Sequence, residues 1–568
     1  MPMKIDPEEI VAQWDLFSTS EKENASLVSS FVGQYFSDVG TDLDNYTLPD
    51  LSTELPWVKN LHNKSYQSWA RDLNAMWGDL GRITSPSVLA NPQRYSLLQR
   101  KNPFIIPGGR FREGYYWDSY WIVTGLISTG MLTTAKGMIL NLLDDVNKFG
   151  FVPNGGRIYY LNRSQPPLLS EMVMAWVSAA KIEISNDIVD EFLAYAVPTL
   201  DKEYAFWMRP GEHAVTMPDG RSTLNRYYTN STAPRPESYR EDLATASASC
   251  ASASGGSAQE GGEGVEVPSP SAAADAYANL AAAAETGWDF SSRWIGMPAS
   301  TSTTTSLPPF SLSCISTRSV IPVDLNSILY KMEKNLAFLH EEMTSKQQTS
   351  KSINAKSYLA FASARAKAMS TWLWQENKAT WKDLWLQPSH ASTSAFIERP
   401  DVAASSAASE LLALWSGVLE DEGSSSSRSG IDGRSNDRQQ QLKRRIFENF
   451  MKSGLLQAWG IQTTTVPNSE TGQQWDAPNA WSPLQHFALE ALRSLGLPEA
   501  TALGDDIANR WLESNYMGWV NAAQMYEKYN ALAMGERGEG GEYPPQAGFG
   551  WTNGYVLYLL HQSAISII

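Results

Sequence analysis

The stretch SYQSWARDLNAMWGDL, residues 65–80, decides the fold class. Its Trp69, Leu73, Met76, Trp77 and Leu80 fall on one side of a 3.6-residue repeat, the i, i+4, i+7, i+8 spacing of an amphipathic helix. The same period recurs over 116–128, 131–148, 169–182, 186–208, 324–344, 354–376, 405–419, 440–454, 484–495, 501–514 and 552–563. No series of short alternating segments, the mark of a sheet protein, interrupts it. About twelve helices joined by short polar loops predict an all-α array of helical hairpins. Pro and Gly gather between the helices, which places the chemistry on loops at the mouth of a helical scaffold.

Those loops carry an unusual mixture. PGGRFREGYYWDSYW (107–121) sets arginines and acids among tyrosines and tryptophans behind a Pro-Gly-Gly turn, and QWDAPNAWSPLQ (474–485) repeats the mixture far along the chain. Flat rings cover the apolar C–H faces of a sugar, while Arg and Asp hydrogen-bond its hydroxyls in fixed geometry. Two such clusters predict that the ends of the chain meet around a sugar-sized pocket. VPNGGRIYYLNRSQPP (152–167) adds Asn154, Arg157, Arg163 and Gln165, and APRPESYRED (233–242) adds Arg235, Glu237 and Arg240. A guanidinium can donate to two vicinal hydroxyls at once.

Cutting a glycosidic bond takes two carboxyl groups, one protonated and one ionised. Asp289, in ETGWDFSSRW (285–294), lies between Trp288 and Phe290 with Trp294 beyond. Rings around a carboxyl favour its neutral form, which suits a proton donor. Asp-x-Ser-Ser also reads as a helix cap. Glu527, in MYEKYN (525–530), has Lys528 beside it to keep it ionised, which suits a base, although an exposed helical glutamate would look the same. Glu542 sits in GEGGEYPPQAGFGWTNG (538–554), where glycines let backbone approach a ligand closely. Asp118 and Asp476 complete the acids of the aromatic clusters.

Composition narrows the class. The 568-residue chain has a net charge of −16, the wrong sign for nucleic acid, and no run of about twenty apolar residues that would span a membrane. Six histidines without ligand spacing predict no metal. Cys250 and Cys314 lie in Ser-rich stretches and read as poor disulfide candidates. The N-terminus MPMKIDPEEIVAQW has no apolar run behind a basic start, so no signal peptide is expected in it. The cytosol is the default compartment, and secretion stays open if the N-terminus is truncated. Residues near 244–270, 299–319 and 420–440 are rich in Ala, Ser, Gly or Thr and predict solvated insertions.

Taken together, PGGRFREGYYWDSYW, QWDAPNAWSPLQ, VPNGG…NRSQPP, RPESYRED, ETGWDFSSRW, IPVDLN (321–326), EKY and GGEYPPQAGFGWTNG resemble, in order, the motifs of the trehalases. These glycoside hydrolases cut α,α-trehalose into two glucose molecules. The resemblance covers roughly residues 60–560. It implies an (α/α)6 barrel, a toroid of helical hairpins with long active-site loops, over 61–568, preceded by a helical extension at 1–60. It implies an inverting mechanism without metal or organic cofactor, acting on a small disaccharide and working as a monomer. Carried over by motif, Asp289 is the proton donor and Glu527 the base. Arg110, Phe111, Trp117, Asp118, Asn154, Arg163, Gln165, Arg235, Glu237, Gly287, Trp475 and Glu542 fall at substrate-contacting positions. Inversion further implies carboxyl groups about 6.5–9.5 Å apart, with room for water between them. The sequence departs from the pattern at Glu536, Arg537 and Glu539, which interrupt the glycine run before Glu542, at GIQTT (460–464) and at Asp383-Leu384.

Overall fold

Helices that are apolar on every side build the inside of the molecule, and helices with one apolar stripe wrap them. In the computed structural model, which describes residues 1–248, 270–296, 310–347, 353–386, 396–397, 405–420 and 433–565, the two kinds alternate along the chain. Helix α1 (Lys64–Leu80) is striped: Trp69, Ala70, Leu73, Trp77 and Leu80 are buried and the opposite face is wet. Helix α2 (Asp118–Ser128) buries every residue except Ile127, which is partly covered. The pattern continues through α3 (Leu132–Phe149), α4 (Leu169–Glu183), α5 (Asn186–Trp207), α6 (Val323–Gln347), α7 (Ile353–Trp372), α8 (Leu412–Ser416), α9 (Gly433–Lys452), α10 (Ser482–Ser494), α11 (Pro498–Ala522) and α12 (Gly550–Ile565).

The even-numbered helices form a closed ring. Each packs on the next, α2 on α4, α4 on α6, α6 on α8, α8 on α10 and α10 on α12, and α12 returns to α2. Outside them, α1 lies on α12, α3 against α2 and α4, α5 against α4 and α6, α7 on α6, and α11 on α10 and α12. Ile446 and Phe450 of α9 face Leu411 and Leu414 beside α8. This is the (α/α)6 barrel. Its tightest seam joins first to last inner helix. A Cβ on Gly125 would stand 2.4 Å from Gly554 Cα, and one on Gly554 would stand 2.1 Å from Trp121 O. Only residues without side chains let these two backbones meet.

Several boundaries move from their sequence positions. The helix expected over 354–376 stops at Trp372, because Trp374–Gln375 turns back to pair with Thr380–Trp381. The one over 405–419 becomes a 3₁₀ turn at Ala408–Leu411 followed by the short α8, ended by Gly417 at φ +84°. A helix at Pro270–Glu285, within an Ala-rich stretch with almost no large apolar residue, carries no readable stripe in the sequence. Short two- and three-stranded sheets brace the loops. One matters for the site: β1 (Asn479–Trp481) pairs antiparallel with β2 (Lys528–Asn530), with Trp481 opposite Lys528.

Of the three insertions, 249–269, 299–309 and 421–432 lie outside the described residues. Residues 310–319 correct the expectation of a solvated loop. The turn at Thr317–Ser319 packs beside Pro270–Glu285, the turn at Leu312–Cys314 beside the helix Tyr239–Ser247, and Ile315 bridges to Ile295. Cys314 is buried there and is disulfide-bonded, which overturns its reading as a poor disulfide candidate. The Ser-rich surroundings concealed ordered, buried backbone. Cys250, the other cysteine of the sequence, lies outside the described residues. Among those residues no helix is long and apolar enough to cross a membrane.

Candidate active site

The N-terminal ends of the inner helices and the loops before them enclose a cavity of about 450 Å³. Asp118 opens α2, Trp481 ends β1 just before α10, and Trp551 lies in the first turn of α12. All of the residues carried over by motif line this one cavity: Asp289, Glu527, Arg110, Phe111, Trp117, Asp118, Asn154, Arg163, Gln165, Arg235, Glu237, Gly287, Trp475 and Glu542. The two aromatic–charged clusters therefore do meet.

Rings form the walls. Trp475 stacks on Trp481 at 3.9 Å between ring centres and on Trp288 at 5.3 Å. Trp117 packs at 5.7 Å from Trp475 and at 5.9 Å from Trp551. The chain turns at Gly287 with φ +73°, where a Cβ would stand 2.7 Å from the Trp117 ring. A glycine is thus required there for both its backbone angle and its lack of a side chain.

Carboxyl groups face this low-dielectric space, Asp289, Asp118 and Glu527 among them. Burial pushes Asp289 up to about 7, with Arg235 opposing and Glu542 adding to the rise. Asp289 does not cap a helix; Ser291 does, accepting from Arg293 N. Burial pushes Asp118 up to about 8, and the charges of Glu527 and Asp289 push the same way. Glu527 is buried in the loop entering β2, not exposed on a helix. Burial also lifts Glu527 above the ordinary carboxylate range. Lys528, the Tyr543 hydroxyl, the Gln546 amide and Arg110 all pull it back without cancelling the rise. Lys528 was expected to help hold Glu527 ionised, and its charge does pull that way. Its Nζ bonds Gln474 Oε1 and the Gly540 carbonyl, each at 2.9 Å, so its help acts through space.

Cations and amides complete the rim. Arg235 forks onto Asp242, with Nε 3.0 Å from Oδ2 and a terminal nitrogen 2.6 Å from Oδ1, and also reaches Glu542 Oε1 at 3.2 Å. Its guanidinium lies 4.9 Å from the Phe290 ring centre. Arg163 pairs with Glu237 and bonds Asn154 Oδ1 at 3.3 Å. Burial would raise Glu237, but Arg163 and Arg235 together hold it below its ordinary value. Gln165 Oε1 accepts the Trp117 amide at 3.0 Å, which pins the start of α2. Arg110 is exposed and lies over the Tyr543 ring at 4.8 Å.

Other residues singled out from the loops do structural work. Asp476 accepts from Ser291, Ser292, Thr464 and Thr471, tying the second cluster to the Asp289 loop. Arg157 turns to Asp42 at 2.6 Å and Glu113 at 3.4 Å at the cavity edge, and Arg240 is exposed. Asp383, at the altered Asp-Leu pair, joins Asp324 in holding Arg293. Sequence reasoning passed over Tyr543, Trp551 and Gln474. Tyr543 and Trp551 stand inside the quoted Gly-rich motif, one of them directly after Glu542, and that adjacency was the available signal. The N-terminal segment also reaches the cavity, through Gly40 and Asp42. Among the described residues no group of three or more His, Cys, Asp or Glu side chains is arranged to hold a metal.

Comparison with known proteins accounts for this combination. A model of the trehalase family matches residues 1–564. The chain is 37% identical to a probable trehalase of Oryza sativa subsp. japonica, over 94% of this chain and 86% of that protein. It is 34% identical to the trehalase of Homo sapiens, over 99% and 84% of the respective lengths. The solved neutral trehalase of Saccharomyces cerevisiae superposes with a TM-score of 0.59 at 23% identity, covering 82% of this chain and 74% of that one, which establishes a shared fold. A full-length family match, two relatives above 30% identity and a barrel of the same kind lead to one conclusion: this chain belongs to the trehalase family.

Proposed function

We propose that the protein hydrolyses α,α-trehalose to two glucose molecules with inversion at the attacked carbon, Asp289 acting as proton donor and Glu527 as base. Trehalose hydrolysis is the reaction of the relatives that span nearly the whole chain. The observation that carries the assignment of roles is that Asp289, still protonated up to about pH 7, and Glu527 line the same ring-walled cavity from different loops. Asp289 gives its proton to the bridging oxygen as the bond to the anomeric carbon lengthens. Glu527 takes a proton from water attacking the opposite face, so the attacked unit leaves as β-glucose and the other as α-glucose. Arg110, Arg163 and Arg235 hold hydroxyls, while Trp117 and Trp475 cover the sugar's apolar faces. Asp289 and Glu527 supply the acid–base chemistry in this reading, and the chain acts as a monomer.

The test is glucose release from trehalose, with NMR of the first anomer formed. Asp289→Asn and Glu527→Gln should each lower kcat by about 10²–10⁴-fold or more while the protein stays folded, since each removes one proton-transfer partner. Wild-type turnover in either variant, or a first product that is all α-glucose, would overturn the assignment.

A further inference from the structure

Glu527 is gripped at its backbone and held by little at its carboxylate. Its amide donates to the Gln546 carbonyl at 3.0 Å, and its carbonyl accepts from Trp551 Nε1 at 2.9 Å. At the carboxylate, the Tyr543 hydroxyl donates to Oε1 at 2.8 Å, while the Gln546 amide stands 3.4 Å from Oε2, at the outer edge of a hydrogen bond. Lys528, the nearest cation in sequence, spends its donors elsewhere. An ionised carboxylate offers about four lone-pair positions. One strong donor fixes its rotation and leaves Oε2 open to a water.

Tyr543 is itself rigid. Its ring is half-buried, lies under the Arg110 guanidinium at 4.8 Å, and meets the edge of Phe111 at 5.4 Å between ring centres. The residue before it crosses the cavity: Glu542 bonds Arg235 at 3.2 Å and Ser238 at 3.0 Å. Adjacent residues of one loop therefore grasp the arginine side of the site and the base side together.

Building on the proposed hydrolysis, we propose that Tyr543 is the positioning residue of the base: its hydroxyl orients the Glu527 carboxylate toward the attacking water and favours its ionised form. Tyr543 transfers no proton to substrate. Removing only the hydroxyl leaves the ring, and with it the loop, in place.

Tyr543→Phe tests this. A hydrogen bond to a charged group is worth about ten- to hundredfold in an equilibrium or rate. The variant should lose that much in kcat with KM nearly unchanged, and the acidic limb of kcat/KM against pH should move to higher pH, because a donor to the ionised form has gone. Gln546→Ala disturbs the same loop without removing a side-chain donor to Glu527 and should leave that limb in place. A Tyr543→Phe enzyme with wild-type kcat and limb, or a loss confined to KM, would overturn the proposal. So would a Gln546→Ala limb that moves equally. Wild-type enzyme and Glu527→Gln run alongside separate this result from failure of the parent reading: if wild type leaves trehalose intact, or Glu527→Gln still cuts it, the hydrolase assignment falls first.

Discussion

Asp118 and Asp289 are both buried, both protonated near neutrality, and both in the same cavity, yet their replacements should behave differently. A neutral carboxyl that only donates a hydrogen bond can be replaced by an amide, which also donates. One that gives up its proton cannot. Asp118→Asn should therefore stay within about tenfold of wild-type kcat/KM, against a loss of about 10²–10⁴-fold or more for Asp289→Asn. The alkaline limb belongs to the acid: activity should fall as pH rises through about 7, where Asp289 ionises. That limb should persist in Asp118→Asn, and its disappearance there would move the donor role to Asp118. At this scale the sequence was readable where chemistry-bearing residues cluster along the chain, as in PGGRFREGYYWDSYW. It was unreadable where function depends on what a side chain meets after folding. Nothing in EKYN says that Lys528 bonds Gln474 and Gly540 instead of its neighbour, or that Tyr543 finds Glu527.

Elements were readable in proportion to their stripes. Helix α1 shows one apolar face against polar residues, so its limits were nearly right. The short α8 lies inside the helix expected over 405–419, but Leu411, Leu412, Ala413, Leu414, Trp415 and Ser416 are all buried, so no polar face marks its true limits. Pro270–Glu285 is hidden for the opposite reason: alanines pack it closely without marking a face. The contact of α2 with α12 was beyond reach, since a glycine within a helical period reads only as a weak position. Its consequence is measurable. In Gly125→Ala or Gly554→Ala the new methyl meets backbone at 2.4 or 2.1 Å, which no rotamer change relieves. Each should destabilise the protein by at least the ~1–3 kcal/mol usual for overpacking, seen as a lower urea midpoint. Gly130→Ala, with nothing within 4 Å of its Cβ, provides a comparison in which only the backbone angle is strained.

For the whole molecule, buried acids set how stability depends on pH. Asp118 and Glu203 are raised to about 8 and Asp289 to about 7, each chiefly by burial. The folded state therefore holds protons that the unfolded chain has already released, so these groups make stability fall as pH rises from the ordinary carboxylate range to their raised values. His486 works the other way: burial lowers it to about 3, so it adds stability as pH rises from there to 6.5. The opposition ends at 6.5. From pH 5 to 8 the melting temperature should fall by several degrees, because three acids outweigh one histidine even below 6.5, and a scanning calorimeter would show an increase instead if the acids were ionised in the native state.

The seam between Gly125 and Gly554 also has a meaning in time. Helix α2 is made early in synthesis and stays without its neighbour until α12, the final stave of the barrel, has been translated. Trp551, a wall of the cavity, arrives on that same stave. A ribosome carrying all but this segment would display an assembled-looking chain with an unsealed chamber, so hydrolysis should begin only once the closing stave is released from the exit tunnel.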